Sequence, residues 1–140
     1  MKTKSFLLVF LMCIIFFFMY SCKKDEEWKV VKISGPIKVH VSGSLEAPTI
    51  RWDEGQAYKI IVCDSEQSIW YNINSEESMW YITDNLSSPV NYSEVPEGAT
   101  VVAGAKPLEK GIKYSFGVYW SRITIGTTNE GYGFAYAIYE

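Results

Sequence analysis

Histidine is nearly missing from this chain: His40 stands alone among 140 residues. Metal centres draw on clusters of His, Cys or acids at ligand spacing. No such cluster and no spaced Asp-x-Asp run occurs, so neither a metal nor a cofactor is expected. His40, between Val39 and Val41, reads as a partly exposed strand residue. Cysteine is scarce as well, at positions 13, 22 and 63 only. Basic charge is not in excess: 13 Lys and Arg against 16 Asp and Glu give a net charge of −3, which offers nucleic acid no footprint. No phosphate-cradling loop is present, because Gly131-Tyr132-Gly133 lacks the strand-to-helix context. Asp53-Glu54 and Glu76-Glu77 are neighbours on turns, whereas a glycosidase needs two carboxylates set apart across a cleft. No Ser or Cys stands beside a recognisable base. An enzyme is therefore not expected.

Long apolar runs are also lacking, with one exception that is too short to cross a bilayer. Residues 6–18 read FLLVFLMCIIFFF and hold five of the seven Phe. A spanning helix needs roughly 18–20 apolar residues, while a secretory signal uses about 7–15. Lys2 and Lys4 precede the run, so residues 1–21 read as a signal peptide. The run closes on Met19-Tyr20-Ser21-Cys22. A small residue directly before Cys at that place resembles the bacterial lipoprotein signal, although Met19 and Tyr20 stand where Leu and a small residue are usual. The following Cys22-Lys23-Lys24-Asp25-Glu26-Glu27 resembles the export signal of Bacteroidetes lipoproteins. The resemblance implies a lipid on Cys22, attachment to the outer membrane through it, and display at the cell surface. A multiply acylated cysteine holds a protein stably without a membrane helix. Residues 22–35 then form the lipidated cysteine and a solvated tether. With Cys13 removed and Cys22 lipidated, Cys63 has no disulfide partner. Removal of residues 1–21 from the 140 leaves 119 and takes Lys2 and Lys4, so the charge moves from −3 to −5. A chain of that size can sustain its own core.

From Pro36 onward the hydrophobic pattern has period two. Ile37, Val39 and Val41 alternate with polar residues. Ile50 and Trp52 flank Arg51, and Tyr58, Ile60 and Val62 alternate with Lys59, Ile61 and Cys63. Tyr114, Phe116 and Val118 follow, and Tyr132, Phe134, Tyr136 and Ile138 close the series. Such alternation marks half-buried strands. Turn residues separate the runs at Ser34-Gly35-Pro36, Glu54-Gly55 and Pro96-Glu97-Gly98. No stretch is amphipathic at helical period. The expectation is an all-β antiparallel sandwich or a barrel.

Three motifs narrow this. Pro48-Thr49-Ile50-Arg51-Trp52-Asp53 resembles the second strand of a fibronectin type III domain, and Tyr58-Lys59-Ile60-Ile61-Val62 resembles its third. Leu108, Gly111 and Tyr114, each three apart, resemble the lead-in to its sixth strand, with Lys110 where a Pro is usual. Tyr114 would form the tyrosine corner, its hydroxyl reaching back to upstream backbone. The resemblance spans residues 36–140 and implies an immunoglobulin-like, fibronectin type III-like β-sandwich. Trp52, Tyr58, Leu108 and Tyr114 are then core, together with Ile60, Phe116 and Val118.

One stretch exceeds what that fold requires. Residues 64–89 hold two similar pieces, Ser68-Ile69-Trp70-Tyr71-Asn72-Ile73 and Ser78-Met79-Trp80-Tyr81-Ile82-Thr83. They read as an inserted hairpin or two extra edge strands. Adjacent Trp and Tyr must face opposite sides of a strand. One reading makes Trp70, Tyr71, Trp80 and Tyr81 an exposed platform for a glycan or surface protein, with Asn72, Asn74, Asp84 and Asn85 beside it for hydroxyls. The other has these rings cover a sheet edge or extend the core. The end loop 121–131, with Arg122 and Glu130, is a further candidate surface. On the first reading the chain is a lipid-anchored surface binding module. On the second it is a structural subunit of an outer-membrane assembly.

Overall fold

The computed structural model describes residues 25–53, 55–64, 78–124 and 127–140, apart from the side chains of 121–130. The described residues contain nine strands and no helix. They run β1 (Trp28–Ser34), β2 (Val39–Gly43), β3 (Pro48–Trp52), β4 (Ala57–Cys63), β5 (Trp80–Leu86), β6 (Val90–Asn91), β7 (Thr100–Ala103), β8 (Lys113–Thr124) and β9 (Thr127–Tyr139). All pairings are antiparallel. One sheet has the order β1-β9-β8-β4-β5-β7 and the other β2-β3-β6. The two pack face to face as an immunoglobulin-like β-sandwich.

The core between the sheets follows from the alternation. Val39, Val41, Ile50 and Trp52 come from the small sheet; Ile60, Val62, Trp80, Ile82, Phe116 and Val118 come from the large one. Trp52, Leu108 and Tyr114 are all buried. The Trp52 indole donates its Nε1–H to the Gly55 carbonyl at 3.0 Å, so the large ring is buried without an orphaned polar atom. The Tyr114 hydroxyl accepts the Glu109 N–H at 2.8 Å and holds the approach to β8. A second tyrosine acts in the same way: the Tyr92 hydroxyl is shared between the carbonyls of Met79 (2.9 Å) and Lys106 (2.7 Å).

Three expectations are corrected. Tyr58 is not core; it is 38% exposed. The β4–β5 register is irregular between Ala57 and Lys59, and β5 counts one extra residue there. Asp84 and Asn85 take left-handed conformations in that bulge (φ 72° and 49°), which Asp and Asn tolerate better than most residues. Ala57 and Ile60, three apart, consequently both reach the core, and Tyr58 turns outward. Trp80 is not exposed: it is buried to 1%, edge-on to Tyr92 at 5.2 Å between ring centroids. Residues 28–34 are not tether. They form β1, which pairs with β9, and Trp28 packs edge-on against Tyr114, Phe116 and Tyr139. Of the stretch 64–89, the described part supplies β5, joined to β4 and β7.

These placements set the expected response to truncation. Trp52→Ala and Trp80→Ala each lower stability by about 3–5 kcal/mol, because a fully buried indole leaves a cavity. Tyr58→Ala costs about 1 kcal/mol or less, as an outward residue should. Urea denaturation of the three variants measures the contrast.

Candidate functional site

The alternation of β9 carries a choice that period two leaves open: which face is inside. Register puts Ala135 opposite Phe116 and Ala137 opposite Tyr114, so the small residues of β9 face the second sheet. Tyr132, Phe134 and Tyr136 therefore face the other way, across from Tyr119, Gly117 and Ser115 of β8. On β4, Lys59 pairs with Tyr119 and Ile61 with Gly117. On β5, Tyr81 pairs with Ile61. The outer face of the large sheet thus gathers aromatic rings from four strands.

Part of this face is packed. Phe134 and Tyr136 are buried to 1% and 2% and form a second apolar cluster with Tyr119. The Phe134 ring lies over Gly117, where a Cβ would fall 2.7 Å from it. Cys63 and Ser115 are also buried here. The rest is open. Tyr58 and Tyr132 are 38% and 37% exposed, and Tyr119, half-buried, lies between them. Ring centroids step from Tyr58 to Tyr119 (6.4 Å), to Phe134 (5.6 Å), to Tyr132 (5.5 Å). Lys59 Nζ sits 4.0 Å from the Tyr119 centroid and 5.8 Å from that of Tyr58. Lys32 Nζ stands 5.4 Å from Tyr136. A cation over a ring face is attracted by the ring quadrupole, so the lysines order the row as well as charge it. Burial holds the Tyr119 phenol well above the usual tyrosine range; Cys63, Tyr58, Tyr136 and Tyr81 push the same way.

The expected platform residues separate. Trp70, Tyr71, Asn72 and Asn74 lie outside the described residues, as do the side chains of Arg122 and Glu130. Trp80 is core, whereas Tyr81 is half-buried on the outer face. Asp84 and Asn85 are exposed at the bulge, and the Asp84 carboxylate accepts the Thr83 hydroxyl at 3.0 Å. Their described geometry serves the bulge. Period two alone does not name the outer side, so it does not mark Tyr58, Tyr119 and Tyr132 as surface residues. No group of three or more His, Cys, Asp or Glu is placed to hold a metal among the described residues. Comparison with protein-family models, curated proteins and solved structures finds no match.

The tyrosines give a pH test. Burial raises Tyr92, Tyr114 and Tyr119 above the ordinary value of 10.0. A raised folded value means that the stabilisation is complete below about pH 10 and is lost as pH climbs above it. The urea midpoint should hold steady up to about pH 10 and fall beyond it, with the last tyrosinate absorbance appearing only on unfolding. Tyr119→Phe should lessen the fall.

Proposed function

We propose that the chain is a lipid-anchored binding module of the outer-membrane surface that recognises a glycan or protein through outward-facing aromatic side chains. The observation that carries this reading is where the open tyrosines stand relative to the anchor. The described chain enters beside the C-terminus: Glu27 and Glu140 exchange backbone hydrogen bonds, and the Tyr139 hydroxyl donates to the Glu26 carbonyl. A lipid on Cys22 would sit four residues before Glu26, within about 14 Å of it. Tyr132 lies seven residues from Tyr139 along β9, about 24 Å towards the opposite end. Tyr119 pairs with Tyr132, and Lys59 with Tyr119, so the open row lies away from Glu26, before the β8–β9 pair runs on to Thr124 and Thr127. Such a sandwich stands close to its membrane and offers flat amphipathic rings away from it. Rings with an apolar face and a polar tip suit recognition.

A second reading, a subunit of an outer-membrane assembly, has its own observation. The large sheet ends on β1 and β7, and both edges carry exposed apolar residues: Val31 and Ile33 on β1, Val101 and Val102 on β7. Open edges of this kind accept a strand from another chain.

Two measurements test the proposal. Cys22→Ser should release the protein from membranes into the soluble fraction; retention on the membrane refutes the anchor. Native gels cast with individual polysaccharides should retard the parent chain, and Tyr58→Ala with Tyr132→Ala should weaken that retardation. Absence of retardation together with stable co-purification of a membrane partner selects the assembly reading.

A further inference from the structure

Beside the tyrosine row, on the inner side of β8, one aromatic residue has an unusual setting. Trp120 pairs with Gly131, and a Cβ on Gly131 would come within 2.8 Å of Trp120 Cζ2 and closer still to Nε1. The indole therefore occupies the space that a side chain at position 131 would fill. Its Nε1 is buried and has no hydrogen-bond partner among the described residues. Leaving a buried donor unmade costs stability. The half-buried ring lines a recess of about 280 Å³ with Pro36, Ile37, Lys38 and Asp53. Asp53 also borders a second, more open hollow of about 520 Å³ formed with Arg51, Gln56, Ser87 and Ser88. His40 Nε2 stands 3.6 Å from the Asp53 carboxylate.

The lining defines the ligand. One wall of the recess is the Trp120 ring, Pro36 and Ile37 are apolar, and Asp53 and Lys38 supply a carboxylate acceptor and an ammonium donor; the adjoining hollow adds a guanidinium, an amide and two hydroxyls. An apolar ligand would leave those groups unpaired. A ligand that uses donors and acceptors together while showing an apolar face to an indole is a sugar. The volume of the recess lies near the lower end for small-molecule sites. We infer that this recess is a saccharide-binding site: Trp120 forms the wall for one sugar residue, Asp53 and Lys38 bond its hydroxyls, and the adjoining hollow takes the next residue of the glycan. The inference rests on the reading of the chain as a surface binding module, and it moves the principal contact from the tyrosine row to the end of the sandwich.

The test uses the full chain in detergent, run in native gels containing xylan, mannan, starch, β-glucan or polygalacturonate. At least one should retard the parent chain. Asp53→Ala and Lys38→Ala, both at exposed positions, should weaken that binding by about tenfold or more while leaving the urea midpoint unchanged. Trp120→Ala should do the same, and a shift in its urea midpoint would leave the two surface variants to decide. Binding that persists within about twofold in Asp53→Ala and Lys38→Ala, but is lost in Tyr58→Ala with Tyr132→Ala, overturns the recess and leaves the binding module standing. If none of the five polysaccharides retards the parent chain, the saccharide site is refuted. The broader module reading falls with it only if the chain also captures no surface protein.

Discussion

The backbone at Ile37 passes so close to β9 that position 133 has no room for a side chain. A Cβ on Gly133 would lie 2.8 Å from the Ile37 carbonyl carbon and closer still to its oxygen, and the Ile37 N–H donates to the Tyr132 carbonyl at 3.2 Å. This close approach dictates the face of β9. Gly133 looks inward because only a glycine fits under the chain entering β2, and by alternation Gly131, Ala135 and Ala137 share its face. The aromatic residues between them have one other place to go. Both candidate surfaces descend from that constraint. The outer rings are displaced by it, and Trp120 lies on Gly131 because the same strip is bare.

Such a thin strip removes apolar volume from the space between the sheets, and other elements make it up. Trp28, brought in by β1, sets its ring among Tyr114, Phe116 and Tyr139. Trp80 and Tyr92 fill the space near β5. Two tyrosine hydroxyls then fasten connections that the sheets do not hold: Tyr114 the backbone at Glu109, Tyr92 the carbonyls of Met79 and Lys106. Cys63 is buried and in no disulfide among the described residues, so this fastening relies on phenols. Each phenol is held neutral by burial, which ties the integrity of the fold to the protonated state of these side chains.

Much of the architecture was legible in the alternation. Ile50 with Trp52 and Phe116 with Val118 read correctly as inward pairs, and the Leu108-to-Tyr114 spacing pointed to a hydroxyl that does reach back to Glu109. What was not legible has physical reasons. Period two assigns residues to two faces without saying which is buried, so β9 could be oriented only by the bulk of what lies against it. Tyr58 departs from its period because a bulge on the neighbouring strand, two left-handed residues at Asp84 and Asn85, interrupts the pairing at a distance along the chain. β1 shows no clean alternation: Val30, Val31 and Ile33 are exposed while Trp28 is buried. The setting of Trp120 depends on its pairing with Gly131, and no local pattern reports a pairing.

The outer face of the large sheet shows why ring content alone is a poor guide to a site. Phe134 and Tyr136 are as buried as residues between the sheets, and Gly117 gives Phe134 its seat. Those rings complete packing on a second side of the sheet. Tyr58 and Tyr132 differ from them in exposure rather than in type: Tyr58 stands near the start of β4 and Tyr132 midway along β9, seven residues from Tyr139. Trp120 differs in another respect: its buried Nε1 has no partner among the described residues, which packing alone would avoid. A ring that completes the core satisfies its own polar atom, as Trp52 does with Gly55 and Trp28 does with Ser44. The departure of Trp120 from that rule, beside a recess lined with Asp53 and Lys38, separates it from the structural tryptophans of the same sandwich.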